Sequence, residues 1–265
     1  MKRIILYAVM AMMICCNHAC CEEGIPEEFQ EELPNDINYP TTISRLPEET
    51  LLQMRKDFAQ RNPYVCSSLN QFGFCASDAV EAMDAPSGYF TKEEAIEAIK
   101  EFVARNPEHT GISNPDDLQL EQMRSTTHNN IPVNWHCFAG QKEINNLEIN
   151  NICIVFHTRN RALYSCDGNY FPNVYIPEKF NFDLERAKSR LLGKEIFHVG
   201  WGGEYSLGII KAKHLKDCPA NLIVVPLITD EKIELRIAWQ IKTLAIFAVD
   251  VMTGKIIREE SCVIS

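Results

Sequence analysis

The sequence predicts an α+β protein made of two helix-on-antiparallel-sheet units in tandem. Three observations lead there. Phe90-Thr91-Lys92-Glu93-Glu94-Ala95 and Phe182-Asp183-Leu184-Glu185-Arg186-Ala187 read alike: an apolar staple, a capping residue and a helix start. Each of these is followed by several short apolar or alternating segments. The last two segments are joined by a tight turn at Met252-Thr253-Gly254-Lys255, the mark of an antiparallel hairpin.

The elements follow in chain order. Residues 46–62 read as a helix, with Pro47 at a first helical position and Leu51, Leu52, Arg55, Phe58 and Ala59 at helical spacing. Residues 63–89 are irregular, punctuated by Pro, Gly and Ser. Thr91 and Glu94 form a capping box for a helix over 91–104. Its apolar stripe is Ala95, Ile96, Ile99, Phe102 and Val103, and Asn106-Pro107 stops it. Strands are expected at Leu118 to Arg124, Val133 to Phe138, Ile152 to His157 and Ala162 to Cys166, with a turn at Asp167-Gly168-Asn169. A second helix spans 183–192 and ends at Gly193. Ile233, Leu235, Ile237, Trp239 and Ile241 alternate with Glu234, Arg236, Ala238, Gln240 and Lys242, the pattern of a strand with one buried and one wet face. Ala245 to Val251 is the next strand. Asp250, Thr253 and Gly254 build the turn after it: Asp250 accepts backbone amides and Gly254 supplies a positive φ. Gly200-Trp201-Gly202-Gly203 is a hairpin or loop, since no strand–loop–helix context makes it a phosphate loop.

Charge and the N-terminus narrow the class. The 265 residues carry a net charge of -10, which argues against nucleic acid, because phosphate binding is driven by Lys and Arg. Lys2 and Arg3 precede the uncharged, mostly apolar run Ile4 to Ile14, so residues 1–19 read as a signal peptide. Cys15, Cys16, Cys20 and Cys21 close that run, and Ala19 before Cys20 suits cleavage and lipidation at Cys20. Cys16 or Cys21 is the alternative anchor, and plain secretion after a cut near Ala19 is the bland one. Residues 20–45 read as an acidic tether, in which Glu22, Glu23, Glu27, Glu28, Glu31, Glu32 and Asp36 repel one another. The membrane is reached through a lipid anchor only, and the expected location is the bacterial outer membrane or cell surface, otherwise the periplasm.

Candidate chemistry is thin. Cys66, Cys75, Cys137, Cys153, Cys166, Cys218 and Cys262 contain no Cys-x-x-Cys pair, which removes a zinc knuckle and a thioredoxin-like motif. Cys66 and Cys75 close a small loop and are the best candidate disulfide. Cys153 and Cys166 are a second possibility, on two strands around a turn at Arg159-Asn160. His136 and His157 fall on strands that can neighbour one another, so a metal is conceivable, with structural or surface histidines as the plainer reading. No His-Glu-x-x-His and no Gly-x-Ser-x-Gly occurs. No cofactor is expected.

The residue order resembles a known arrangement. Glu101-Phe102-Val103-Ala104-Arg105-Asn106-Pro107, Gly111-Ile112, Asn114-Pro115-Asp116-Asp117-Leu118-Gln119-Leu120 and Leu163 to Pro172 are similar to the FTP (fungalysin/thermolysin propeptide) unit of thermolysin-family metalloproteases. Ile237-Ala238-Trp239-Gln240-Ile241 and Phe247 to Ile257 resemble the closing part of the PepSY unit that follows it. The resemblance implies the following division: an N-terminal helical or irregular segment 46–85, an FTP-like unit 86–178 and a PepSY-like unit 179–260. The family's Gly-Ile-Pro-Val strand is blurred: either Asn130-Ile131-Pro132-Val133 or Asn146-Leu147-Glu148-Ile149 stands for it. The resemblance further implies a non-catalytic, propeptide-like fold without the protease domain, which binds an exported protease and inhibits it or assists its folding. The alternative is an accessory envelope lipoprotein that binds another protein or a glycan and uses the fold as scaffold. Mass spectrometry of the native N-terminus is expected to show a lipid-modified Cys20; a chain that starts unmodified at Met1 sinks the export reading.

Overall fold

The computed structural model describes residues 36–77, 80, 82–128, 131–200 and 203–261. The expected signal peptide, Cys20, most of the acidic tether, Trp201-Gly202 and Cys262 lie outside them.

Helix α1, Glu48–Arg61, leads to a short hairpin of β2, Ser68–Leu69, and β3, Cys75–Ala76. Helix α2, Lys92–Arg105, starts as the sequence predicts. The Thr91 hydroxyl accepts the Glu94 amide at 3.2 Å, and the Glu94 carboxylate accepts the Thr91 amide at 2.8 Å. The one-turn helix α3, Pro107–Thr110, follows. Four antiparallel strands come next: β4, Leu120–His128; β5, Ile131–Ile144; β6, Leu147–Arg159; and β7, Ala162–Gly168. The short helix α4, Leu184–Ser189, is capped by the Asp183 carboxylate, which accepts the Arg186 amide at 2.9 Å. A separate hairpin of β8, Glu195–Gly200, and β9, Gly203–Ile209, is followed by α5, Ala212–Leu215. The chain then forms β10, Ala220–Ile228; β11, Lys232–Lys242; β12, Ala245–Asp250; and β13, Ile256–Ser261.

The class is mixed α and β, with few helices on a large, mainly antiparallel sheet. The two separate sheets expected in tandem are not what forms. Among the described residues one nine-stranded sheet runs β13-β12-β11-β10-β6-β5-β4, with β7 also on β6, and β1, Thr41–Ser44, also on β11. The join is a short parallel pairing of Ile223 and Val224 with Glu148 and Ile149. It is possible because β5 and β6 run well past the strands read from sequence. Their turn is Asn145-Asn146, both at positive φ (51° and 62°), between the paired residues Ile144 and Leu147. Asn tolerates that conformation, and two such residues make a hairpin loop. The extended end of β6 thereby reaches β10.

The tether boundary at residue 45 falls beyond β1, so the sheet begins nearer the N-terminus than expected. Strand β11 also departs from the simple alternation. Ile233, Leu235, Ile237 and Ile241 are buried, but so are Ala238 and Gln240, because Ile223, Val225, Ala238 and Ala248 form a second, smaller cluster on the other face. Ile99, Phe102, Leu191, Phe247 and Val249 are buried as expected, whereas Ile96 and Trp239 are half-buried. Helices α1 and α2 pack with β5–β7 in one core, and α4 packs with β11 and β12 in another.

One contact occurs twice. The Trp135 indole on β5 donates to the Phe90 carbonyl at 3.0 Å, and the Trp239 indole on β11 donates to the Phe182 carbonyl at 3.0 Å. Both carbonyls belong to the residue just before a helix cap, so each indole fixes where its helix starts against the sheet. Trp239→Ala is expected to destabilise by about 3–5 kcal/mol in denaturant melts. Trp239→Phe, which keeps most of the packing and loses the hydrogen bond, is expected to cost about 1–2 kcal/mol. A Trp239→Phe variant as stable as the parent would show that the bond to Phe182 contributes nothing.

Candidate functional site

The closing turn is built as a tertiary junction. Asp250 is fully buried. Its Oδ1 accepts the amides of Met252 and Thr253 at 2.9 and 2.8 Å. Its Oδ2 accepts the Arg236 guanidinium at 3.0 Å and the Tyr39 hydroxyl at 2.8 Å. Burial, reinforced by the Asp250 carboxylate, pushes the Tyr39 hydroxyl far up, so it stays protonated and donates. Partial burial works against ionised Glu234, but Lys232 and Arg236 outweigh it and hold the carboxyl below its usual range. Thr253 Oγ1 accepts the Lys255 amide at 3.3 Å. Gly254 sits at φ 66°, and a Cβ there would stand 2.3 Å from the Phe182 ring. This junction is structural: its polar atoms are used up in holding the chain together.

The other residues singled out in the sequence scatter. The Cys66, Cys75 and Cys166 thiols are all unbonded in this structure. Cys66 lies beside Tyr164, and Cys75 lies in the core against Cys166. Cys153 and Cys166 fall on opposite faces: Cys153 is exposed and pairs with Gly140, while Cys166 is buried and pairs with Phe156. His136 and His157 do stand directly opposite one another on β5 and β6, with ring centroids 4.3 Å apart. Burial and the neighbouring His136 lower the His157 pKa, and no third ligating group joins them among the described residues.

A cleft of about 630 Å³ opens where the turn after α3 meets β5 and the segment following β7. Its floor requires close backbone approach. Gly111 has φ 71°, and a Cβ there would lie 1.8 Å from the Tyr170 carbonyl oxygen. The Tyr170 amide donates to the Thr110 carbonyl at 2.8 Å. Gln141 clamps Phe171 from the other side. Its amide nitrogen donates to the Phe171 carbonyl at 2.7 Å and its oxygen accepts the Phe171 amide at 2.8 Å. The rim carries Asp117, Gln119, Lys142 and Glu143, all exposed. Glu121 stands close behind, paired to Lys142 at 3.1 Å. The Tyr170 hydroxyl is enclosed without a hydrogen-bond partner among the described residues, and burial, then the charges of Glu121 and Cys153, push it up to about 12. Beside the cleft begins β4, which ends the sheet and has a strand on one side only among the described strands. Sequence reading missed this cleft, although Gly111 and Tyr170-Phe171-Pro172 lay within the motifs quoted for the FTP resemblance.

Buried polar groups precede the turn at Gly111 that forms the cleft floor. Asn62 and Asn106 follow α1 and α2, and their side-chain amides bond each other reciprocally at 3.0 and 3.1 Å. His109 is 1% exposed. Its Nε2 accepts from Arg61 at 3.0 Å, which leaves Nδ1 to donate to the Gly73 carbonyl at 2.8 Å, so the ring is neutral.

No family model matches the sequence, and no curated protein matches it. Among solved structures, the Bacillus megaterium YpeB C-terminal domain aligns with 82% of this chain and 98% of its own, at 9% identity and a TM-score of 0.31. A likeness of that size carries no argument about function.

Burial lowers the His109 pKa beneath its usual 6.5, with nearby Arg61 acting the same way against the Gly73 carbonyl and Glu108. The folded state therefore binds fewer protons than the unfolded state, and stability falls as pH drops below about 6.5. Thermal melts between pH 7.5 and 5 are expected to show that loss reduced in His109→Gln. Parallel curves for the two proteins would refute the assignment.

Proposed function

We propose that this chain is a non-catalytic, exported binding protein, anchored through lipid on Cys20, which holds an extended segment of a partner polypeptide in the cleft beside β4. The observation that carries the reading is the cleft itself, placed beside β4, which has a strand on one side only among the described strands. A peptide added to β4 would gain main-chain hydrogen bonds, and the adjoining cleft would take its side chains. The rim favours a basic or amide-rich segment, since Asp117 and Glu143 outnumber Lys142, which Glu121 already neutralises. The resemblance to FTP and PepSY units supplies the partner class: an exported protease, inhibited or assisted in folding. In this reading the two capped helices with their meanders are tandem FTP-like and PepSY-like units whose sheets have merged.

A second reading has its own support. Phe197 and Tyr205 are 46% and 48% exposed on the β8–β9 hairpin. Exposed aromatics favour an accessory envelope protein that binds a glycan or another protein, with the fold as scaffold.

Titration of the purified chain into an exported metalloprotease is the test, with peptide hydrolysis and protease refolding yield as readouts. A saturable change in either is expected, and the chain alone is expected to hydrolyse nothing above background. Glu143→Arg is expected to weaken binding about tenfold while leaving the thermal midpoint unchanged, because an exposed rim charge contributes to association and little to folding. If neither readout responds and the chain instead binds glycan through Phe197 and Tyr205, the second reading replaces the first.

A further inference from the structure

We propose that Cys75 and Cys166 form a disulfide that staples the β2–β3 hairpin to β7. Hydrogen bonds on both flanks hold the two segments together. The Cys66 amide donates to the Tyr164 carbonyl at 2.7 Å. The Ser67 hydroxyl accepts the amide of Cys166 itself at 2.9 Å. The Ser77 amide donates to the Asp167 carboxylate at 3.2 Å. Both legs of the hairpin are thus laced to residues 164–167, and Cys75 lies between them, opposite Leu69. Its thiol meets the Cys166 thiol in the core, at 1% and 0% exposure. Cys66 turns instead toward the Tyr164 hydroxyl and is not the partner.

The reaction is thiol–disulfide exchange. Two S–H bonds break and one S–S bond forms. The two electrons and two protons pass to an incoming disulfide, glutathione disulfide or that of a thiol oxidoreductase, which leaves as two thiols. Burial disfavours the thiolates needed for attack, so exchange takes place while the hairpin is still undocked. The bond closes the long loop from residue 75 to 166, which restricts the unfolded chain and raises the thermal midpoint by about 10 °C.

The test is independent of the partner and of the location of the protein. The full chain is reduced, denatured and refolded in a glutathione redox buffer. Free thiols are alkylated, and the digest is mapped by mass spectrometry without reduction. A peptide linking Cys75 to Cys166 is expected, with a thermal midpoint that drops on adding reductant. In Cys75→Ala that redox dependence is expected to vanish. Alkylation of both cysteines in the refolded chain, or a link from Cys75 to Cys66, overturns the proposal. So does a redox-dependent midpoint that persists in Cys75→Ala.

Discussion

The Asp250 carboxylate is the constraint on which the second half of the molecule rests. A buried charge is tolerable only when its partners are in place, and removing one partner of such a set costs about 3–5 kcal/mol. Here the partners come from three places: the turn amides of Met252 and Thr253, the Arg236 guanidinium on β11, and the Tyr39 hydroxyl near the N-terminus. The Tyr39 oxygen also receives the Ile237 amide at 3.1 Å. That amide lies where β1 ends and β12 has not yet begun along the same side of β11. A side-chain hydroxyl thus stands in for a missing strand. One carboxylate thus joins the turn, strand β11 and the N-terminal segment.

The first half solves the same physical problem with neutral groups. Two helices end side by side, and each leaves carbonyls without intrahelical partners. Asn62 and Asn106 each donate to a carbonyl of their own helix, Phe58 and Phe102, and bond each other with what remains. His109, locked between Arg61 and Gly73, extends that network toward the turn that forms the cleft floor. The base of the cleft is therefore hydrogen-bonded back toward the helix ends, while its rim residues are exposed.

Local chemistry was legible in sequence wherever it depends on a few consecutive residues. The Thr91 capping box, the Asp183 cap, the helix start positions and the Asp250 turn needed only their own neighbours. Less was legible of the site. The cleft brings the turn after α3, strand β5 and the Tyr170 segment together across long stretches of chain, and no spacing rule connects them. Gly111 carried a signal, since a glycine just after Asn-Pro-Glu-His-Thr caps a short helix, but its close approach to Tyr170 has no local signature.

The sequence by itself determined the α+β class, the two helix starts, the closing hairpin and the acidic composition of the N-terminal stretch, because propensity, capping and charge act over a turn or two of chain. Only the tertiary structure decided that the strands merge into one sheet, since that depends on how far β5 and β6 extend past Asn145-Asn146 to meet β10. It also decided which cysteines meet. Cys66 and Cys75 are close in sequence, but strand pleat and hydrogen-bond register set Cys75 against Cys166. Register is a relation between distant segments, and a one-residue slip would send each side chain to the opposite face.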